Sequence, residues 1–279
     1  MGENIIKNNK VTLFKKVKIH VNSLKIKIIK GSYIRYYFTR IENIIRKILN
    51  LKPKKRKSQK MVIQNSIGRF LIDISNDTID KSVSSFEYHL HHWIPSGKDK
   101  TFIDIGANIG FYSFFALKKR NFSQAYCFEA SPVVYNNLCE NIKLSKLQTK
   151  IKPIFVALGS TNKPLYLEQK EIHTGRSKIT SKKEGKNIIK VEQTTFDNYV
   201  TKNKINIKKI RYIKIDVEGF ENNVLKGMKE TLSTLEKGTL IQIEIWKNSP
   251  NSKETKKQLE EKKLKNISNI GSNYLYIKQ

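Results

Sequence analysis

The stretch Thr101–Ser113, TFIDIGANIGFYS, decides how the rest of the chain is read. Phe102, Ile103 and Ile105 form a short apolar run that carries Asp104 near its end. A turn of small residues follows, Gly106-Ala107-Asn108-Ile109-Gly110, and Phe111, Phe114, Phe115 and Leu117 then recur at helical spacing. That order predicts a buried strand, a tight turn and a helix. Glycine belongs where a backbone bends sharply or lets a ligand come close. The turn reads D-x-G-x-N-x-G instead of the dinucleotide fingerprint G-x-G-x-x-G, and it sets a carboxylate where a phosphate-binding loop avoids one. A carboxylate there suits a cationic or zwitterionic ligand. The same residues also fit any strand-turn-helix of an α/β domain.

Outward from this stretch, strands and helices alternate. A helix over about 110–120 precedes a second strand, Ala125–Phe128, that ends on Glu129. Ser131-Pro132 reads as an N-cap with proline at the first helical position, and Val134, Leu138 and Ile142 line one face of a helix to about 146. A third strand spans Ile151–Ala157. Residues 158–194 read as β-rich insertions. A fourth strand, Tyr212–Ile215, ends on Asp216, and Phe220, Val224, Leu225, Met228 and Leu232 predict one helix after it. The fifth strand is Leu240–Trp246, a charged helical segment covers about 251–265, and the last strand is Tyr274–Ile277. Strands this apolar, alternating with helices, predict a mostly parallel α/β sheet covered on both faces.

Ligands of such sheets bind beyond the carboxyl ends of the strands. Three predicted strand ends carry acids: Asp104, Glu129 and Asp216. Glu129 follows the glycine turn at about the spacing of a ribose-binding acid, and no Arg stands beside it to take a 2′-phosphate. In Ile213–Gly219, IKIDVEG, strand alternation would put Asp216 and Glu218 on one side, where a carboxylate pair can orient or deprotonate a hydroxyl. Acids near a helix start also serve as caps. S-adenosylmethionine (SAM), a zwitterionic sulfonium nucleoside, matches this set of acids.

Composition adds a second theme. The 279 residues carry 54 Lys or Arg against 24 Asp or Glu, a formal charge of +30. Residues 1–60 hold 18 of those bases and 2 of the acids, and they read as a basic N-terminal extension and linker ahead of a domain at 61–279. Apolar residues from Ile34 to Leu49 recur at helical spacing beside Arg35, Arg40, Arg46 and Lys47. Such a helix can lie on an anionic membrane or pack on its own domain. The run Lys52–Lys60, KPKKRKSQK, fits a nucleic-acid patch or a solvated linker. Lysine excess of this kind also arises from a biased coding composition. Val62–Ile72 predicts a short hairpin and Ser84–Trp93 a helix. His91 and His92 are adjacent on that helix and point to different faces, so no metal site is predicted. Cys127 and Cys139 have no metal-like spacing and fit a reducing compartment. With no signal-like segment and no apolar run of about 18 residues, the expected location is cytoplasmic, at most peripheral to the inner membrane face.

Several segments, in order, resemble the FkbM-type SAM-dependent methyltransferases: IDIGANIGFYS, CFEASPVVYNNLCENIKL, HTGRSKI, VEQTTFDNYV, IRYIKIDVEGFENNVLKGMKETL, IQIEIW and NYLYIKQ. Ala130-Ser131 departs from the family's usual spacing after the second-strand acid, and Phe196 stands for a leucine. The resemblance covers about 84–279 and leaves residues 1–60 outside. It implies a seven-stranded, Rossmann-like SAM-methyltransferase sheet whose last strand is inserted antiparallel, and O-methylation of a hydroxyl, often on a sugar or glycan. By the resemblance Asp104, Gly106, Asn108 and Gly110 surround the methionine end of SAM. Glu129 takes the ribose, and Ala157 lies in the loop flanking adenine. Asp216 and Glu218 face the methyl group and the acceptor, Asp216 also touching the cofactor. Glu87, beside Phe86, is a further cofactor contact. Two other readings stay open: an RNA methyltransferase that uses the basic arm, though IDVEG stands where an Asn-Pro-Pro-type strand end would be, and a non-catalytic docking module.

Overall fold

The computed structural model describes residues 20–21, 24–25, 27–28, 60–73, 88–169 and 177–279. Strand β1 (Thr101–Ile105) lies inside a seven-stranded sheet. On one side of it are β2 (Gln124–Glu129) and β3 (Ile151–Phe155); on the other are β4 (Ile210–Ile215) and β5 (Leu240–Glu244). Beyond β5 come β6 (Leu264–Ile270) and β7 (Asn273–Lys278), giving the order β6-β7-β5-β4-β1-β2-β3. All pairs from β3 to β5 are parallel. β7 is antiparallel to both β5 and β6. This is the α/β architecture that the resemblance implied, inserted strand included.

Strand alternation explains why both faces are covered. Phe102 points to the side of α1 (Phe111–Lys119) and α2 (Pro132–Leu144), where it packs with Phe114, Phe122, Leu138 and Tyr212. Its ring stacks on that of Tyr212 at 5.3 Å between centroids. Ile103 and Ile105 point the other way, into a core shared with Ile213, Ile215, Val224, Met228 and Ile241. Helices α3 (Phe196–Lys202), α4 (Glu221–Lys226), α5 (Lys229–Thr234) and α6 (Ser252–Glu261) supply the rest of that layer, through residues such as Val200, Leu225, Leu232 and Leu259. Each fully buried side chain of this size contributes about 1.5–3 kcal/mol over its exposed state.

Four local expectations change. The helix expected from Phe220 to Leu232 is two helices, α4 and α5, broken at Gly227. A Cβ at Gly227 would lie 1.9 Å from the Gly159 carbonyl oxygen, so the chain passes too close for any side chain there. Asp197 secures the restart: its carboxylate accepts the backbone N–H of Glu230 and Thr231 at 3.0 and 2.8 Å. The charged helical segment stops at Glu261, and its expected tail opens β6, an edge strand whose Lys and Asn side chains face solvent. The third strand leaves the sheet at Val156; Ala157–Leu158 pairs instead with Gln193–Thr194. Ser131 is the N-cap of α2 by position, yet its hydroxyl bonds Gln169 and not the helix.

The insertion at 158–194 contains a three-stranded antiparallel sheet, Leu165–Glu168 with Lys178–Thr180 and Ile188–Val191. The expected hairpin is Lys60–Gln64 with Arg69–Asp73. Asn141 and Ser145 of the α2 end bond its backbone at Leu71 and Arg69. Lys27–Ile28, from the first sixty residues, adds a strand to this hairpin. The helix predicted over 33–50, the basic run up to residue 59 and Glu87 lie outside the described residues.

Candidate functional site

At the carboxyl ends of β2, β1 and β4 an open cleft of about 750 Å³ is lined by Gly106, Asn108, Glu129, Asp216 and Glu218 among polar groups. Phe128, Val134, Leu158, Leu167, Ile179 and Phe220 give it apolar walls. Its few convergent polar groups between apolar walls are those of a small-molecule site. Leu167 and Ile179 come from the three-stranded sheet of the insertion, so that sheet forms part of the cleft wall.

The glycine turn sets the cleft floor. Gly106 sits at φ +76°, and a Cβ there would lie 1.9 Å from the carbonyl oxygen of Asp216. The Asp216 N–H bonds Ile105 at 3.0 Å. Thus the D-x-G turn and the IDVEG loop touch backbone to backbone, which no residue but glycine permits. Asn108 takes φ +52°, and Gly110, at φ +91°, packs against Leu138. Gly110 therefore shapes the turn and is not part of the cleft lining.

Glu129 holds two loops together. The N–H of Asn108 donates to one carboxylate oxygen at 2.9 Å and that of Ser131 to the other at 2.8 Å. Burial pushes its pKa up to about 6 despite those donors. Ala157 lines the cleft nearby, as expected of the loop after the third strand.

Asp104 is placed differently from the sequence expectation. It is one residue short of the strand end and shares a face with Phe102, so its carboxylate turns under α1, away from the cleft lining. One oxygen accepts the Ser113 hydroxyl at 2.6 Å. The other is buried with no hydrogen-bond partner among the described residues. Burial raises its pKa, and the neighbouring Lys214 opposes the rise.

Asp216 and Glu218 do share the cleft, though not through strand alternation. The strand ends at Ile215, and Glu218 (φ +55°) and Gly219 (φ +102°) turn the chain out of it. Two neighbours that the sequence reading did not single out hold this loop. Lys214, a buried lysine, places its ammonium 2.9 Å from Asp216 and 4.5 Å from the centre of the Tyr112 ring. Glu221 accepts the N–H groups of Val217 and Gly219 at 3.2 and 3.1 Å, and burial pushes its pKa to about 7. The signal for Lys214 was a lysine inside an apolar strand, two residues before a carboxylate. His91 is a buried ring 4.5 Å from that of Phe115, and burial lowers its pKa to about 4.

A mostly parallel sheet of this strand order, with acids from the two strands that flank β1 around a glycine-floored cleft, is that of the SAM-dependent methyltransferases. The chain belongs to the methyltransferase FkbM domain family, whose profile matches residues 104–263. It is 27% identical over 174 residues to a methyltransferase (sdnD) of Sordaria araneosa, covering 53% of this chain and 66% of that one. It is 29% identical over 139 residues to the hexuronic acid methyltransferase AglP of Haloferax volcanii, covering 50% and 54%. A solved FkbM methyltransferase from Methylobacillus flagellatus aligns with a TM-score of 0.44 at 15% identity, over 69% of this chain and 51% of that chain. The chain spans between about half and two thirds of the length of the curated relatives it matches.

Proposed function

We propose that this protein transfers a methyl group from SAM to a hydroxyl of a sugar or glycan acceptor. The observation that carries the reading is one cleft in which Glu129, Asp216 and Glu218 converge between apolar walls, in a chain of a methyltransferase family. When bound, SAM supplies an electrophilic methyl group on a sulfonium. The residues present fit it. Glu129 already has both oxygens at the cleft's junction of two loops and, when ionised, accepts vicinal ribose hydroxyls. Asn108 and Gly106 leave backbone exposed to the methionine end. Ala157, Leu158 and Ile179 offer a slot for a flat purine. Ser177, whose hydroxyl is buried without a hydrogen-bond partner among the described residues, lines the same space.

Lys214 separates the roles of the two loop acids. Its ammonium lies 2.9 Å from one oxygen of Asp216, and this ion pair fixes where that carboxylate stands in the cleft lining. Asp216 is then suited to a cationic part of the donor. Glu218, lining the cleft two residues on, is the better base for an acceptor hydroxyl, which gains from losing its proton as the new bond forms. The protein's main work is to hold that oxygen in line with the methyl carbon. The sugar acceptor rests on the relative that methylates hexuronic acid.

The test is calorimetric titration with SAM, followed by labelled methyl transfer to a panel of uronic acids, neutral glycosides and RNA. Expected are SAM binding, its loss by more than 100-fold in Glu129→Ala, and turnover on a sugar that Glu218→Gln abolishes while SAM still binds. Unchanged SAM affinity in Glu129→Ala, or transfer to RNA in place of every sugar, overturns the reading.

A further inference from the structure

All parallel strands of the sheet begin at one edge, so the segments that precede them gather there. Between helix ends and the starts of β1, β2, β3, β4, β5 and β6 these segments hold eleven Lys or Arg and two acids, Asp99 and Glu236. The short segments that leave the opposite edge after β1, β2, β4 and β5 hold one lysine, Lys247, and the acids Asp216 and Glu218, and the long insertion after β3 adds six lysines and three acids among the described residues. The two edges therefore differ chiefly in their acids, since a lysine-rich composition alone would not leave eleven bases beside two acids at one of them. At the basic edge no ion pair among the described residues ties the lysines to a carboxylate. Beside them lies an open hollow of about 790 Å³ lined by Arg69, Lys118, Ser145 and Lys146.

We propose that this amino edge docks the protein on an anionic lipid bilayer, independently of the reaction carried out in the cleft. The charge type favours lipid over nucleic acid. The exposed cations of the six segments are lysines, which act as point charges toward phosphate. The one arginine of these segments, Arg120, is turned inward, donating to the His91 carbonyl and lying over the Phe115 ring at 5.5 Å. Base stacking needs exposed aromatic rings, and the single aromatic of the segments, Phe122, is 2% exposed. The strands are five or six residues long over β1 and β4, so the edge and the cleft lie roughly 17–20 Å apart. A nucleic acid held at the edge would be held away from the methyl donor, whereas a bilayer there leaves the cleft open to the aqueous side. Each lysine near an anionic leaflet adds to the attraction, which fades within a Debye length.

The full chain is tested by flotation with phosphatidylcholine vesicles containing or lacking about 30% phosphatidylglycerol, at low salt. The edge variant K150E/K208E/K209E, and a second, K98E/K204E/K237E, each reverse three lysines. The matched control, K182E/K183E/K190E, reverses three exposed lysines of the insertion. Expected is binding to anionic vesicles alone, weakened at least tenfold by either edge variant and less than twofold by the control. Equal losses in edge and control variants would mean bulk charge and overturn the proposal. So would a wild-type chain that ignores anionic vesicles, or an edge dependence that appears with single-stranded RNA and not with vesicles.

Discussion

At the carboxyl edge of the sheet the connections after β1, β2 and β4 are short; glycine bends the first and the third, Asp216 and Glu218 stand in the third, and Glu129 at the end of β2 ties the first two together by hydrogen bonds. At the amino edge the connections are lysine-bearing, and most of the lysines, Lys150, Lys208 and Lys209 among them, are exposed. The difference is one of constraint. Substitutions at the first edge meet backbone or a buried charge; those at the second meet solvent. The comparison makes measurable claims, which are strongest where the packing is tightest.

Gly106→Ala gives the largest effect. Its Cβ would collide with the Asp216 carbonyl at 1.9 Å from a positive φ. The expected loss is about 4 kcal/mol in urea unfolding, combining backbone strain with overpacking. Gly271, at φ +63° with nothing within 4 Å of the added carbon, is the contrast, and Gly271→Ala should cost about 1 kcal/mol. Equal losses would remove the special closeness of the two loops.

Next comes Lys214→Met. Removing one partner of a buried pair leaves the other charge uncompensated, at about 3–5 kcal/mol when both are buried. The Asp216 side chain is 30% exposed, so water recovers part of this and about 2–3 kcal/mol is expected. If the division of roles is right, SAM affinity falls too, while a double variant with Asp216→Asn regains much of the stability.

Glu221→Gln tests the loop's hidden acid through pH. The folded pKa of about 7 lies above the ordinary 4.5, so ionisation is disfavoured in the fold. Its contribution is fully present below 4.5 and is lost as pH rises to 7. The glutamine keeps an acceptor oxygen and cannot ionise. Between pH 5 and pH 8 the variant's urea stability, relative to wild type, should rise by roughly 2 kcal/mol. Referring each point to wild type cancels the opposite trend from His91, whose lowered pKa favours the fold as pH rises from about 4 to 6.5.

Much of this edge was legible from residue order. The apolar strand, the small-residue turn and Glu129 at the second strand end all follow from local pattern, because a buried parallel strand must be apolar and a sharp turn must be small. What was not legible depends on contacts distant in sequence. The break at Gly227 follows from the approach of Gly159, and the place of Asp104 under α1 depends on the Ser113 hydroxyl and on Lys214 of a distant strand. Lys214 and Glu221 matter through what they bond. β6 escaped notice because its apolar residues, Leu264, Ile267 and Ile270, are spaced three apart and show no strand alternation. The amino edge was visible as charge but not as a surface, since its lysines come from six separated segments that only the sheet order brings together.

Glu129 supplies a smaller, titratable effect. With a folded pKa of about 6, it is ionised above neutrality and protonated in mild acid. Ribose hydroxyls donate best to the ionised form, so SAM affinity should be flat from pH 7 to 8. Below pH 6 it should fall about tenfold per unit, or about 1.4 kcal/mol. Calorimetry across pH 5–8 measures this, and a flat profile would take Glu129 out of ribose binding.

The smallest effect is expected from the opposite edge, and it is the one that makes the comparison strict. K150E/K208E/K209E changes the net charge by six, far more than any substitution at the carboxyl edge. The three side chains are exposed and stand roughly a strand length, about 17–20 Å, from the cleft. At physiological ionic strength the Debye length is about 8 Å, so their field at the cleft is screened through more than two such lengths. SAM affinity measured by calorimetry at that salt should therefore change less than twofold, and urea stability by no more than about 0.5 kcal/mol. A large loss of SAM affinity would show that the two edges share one electrostatic field, and that the lysines serve the cleft by steering or holding its ligands rather than by meeting a surface of their own.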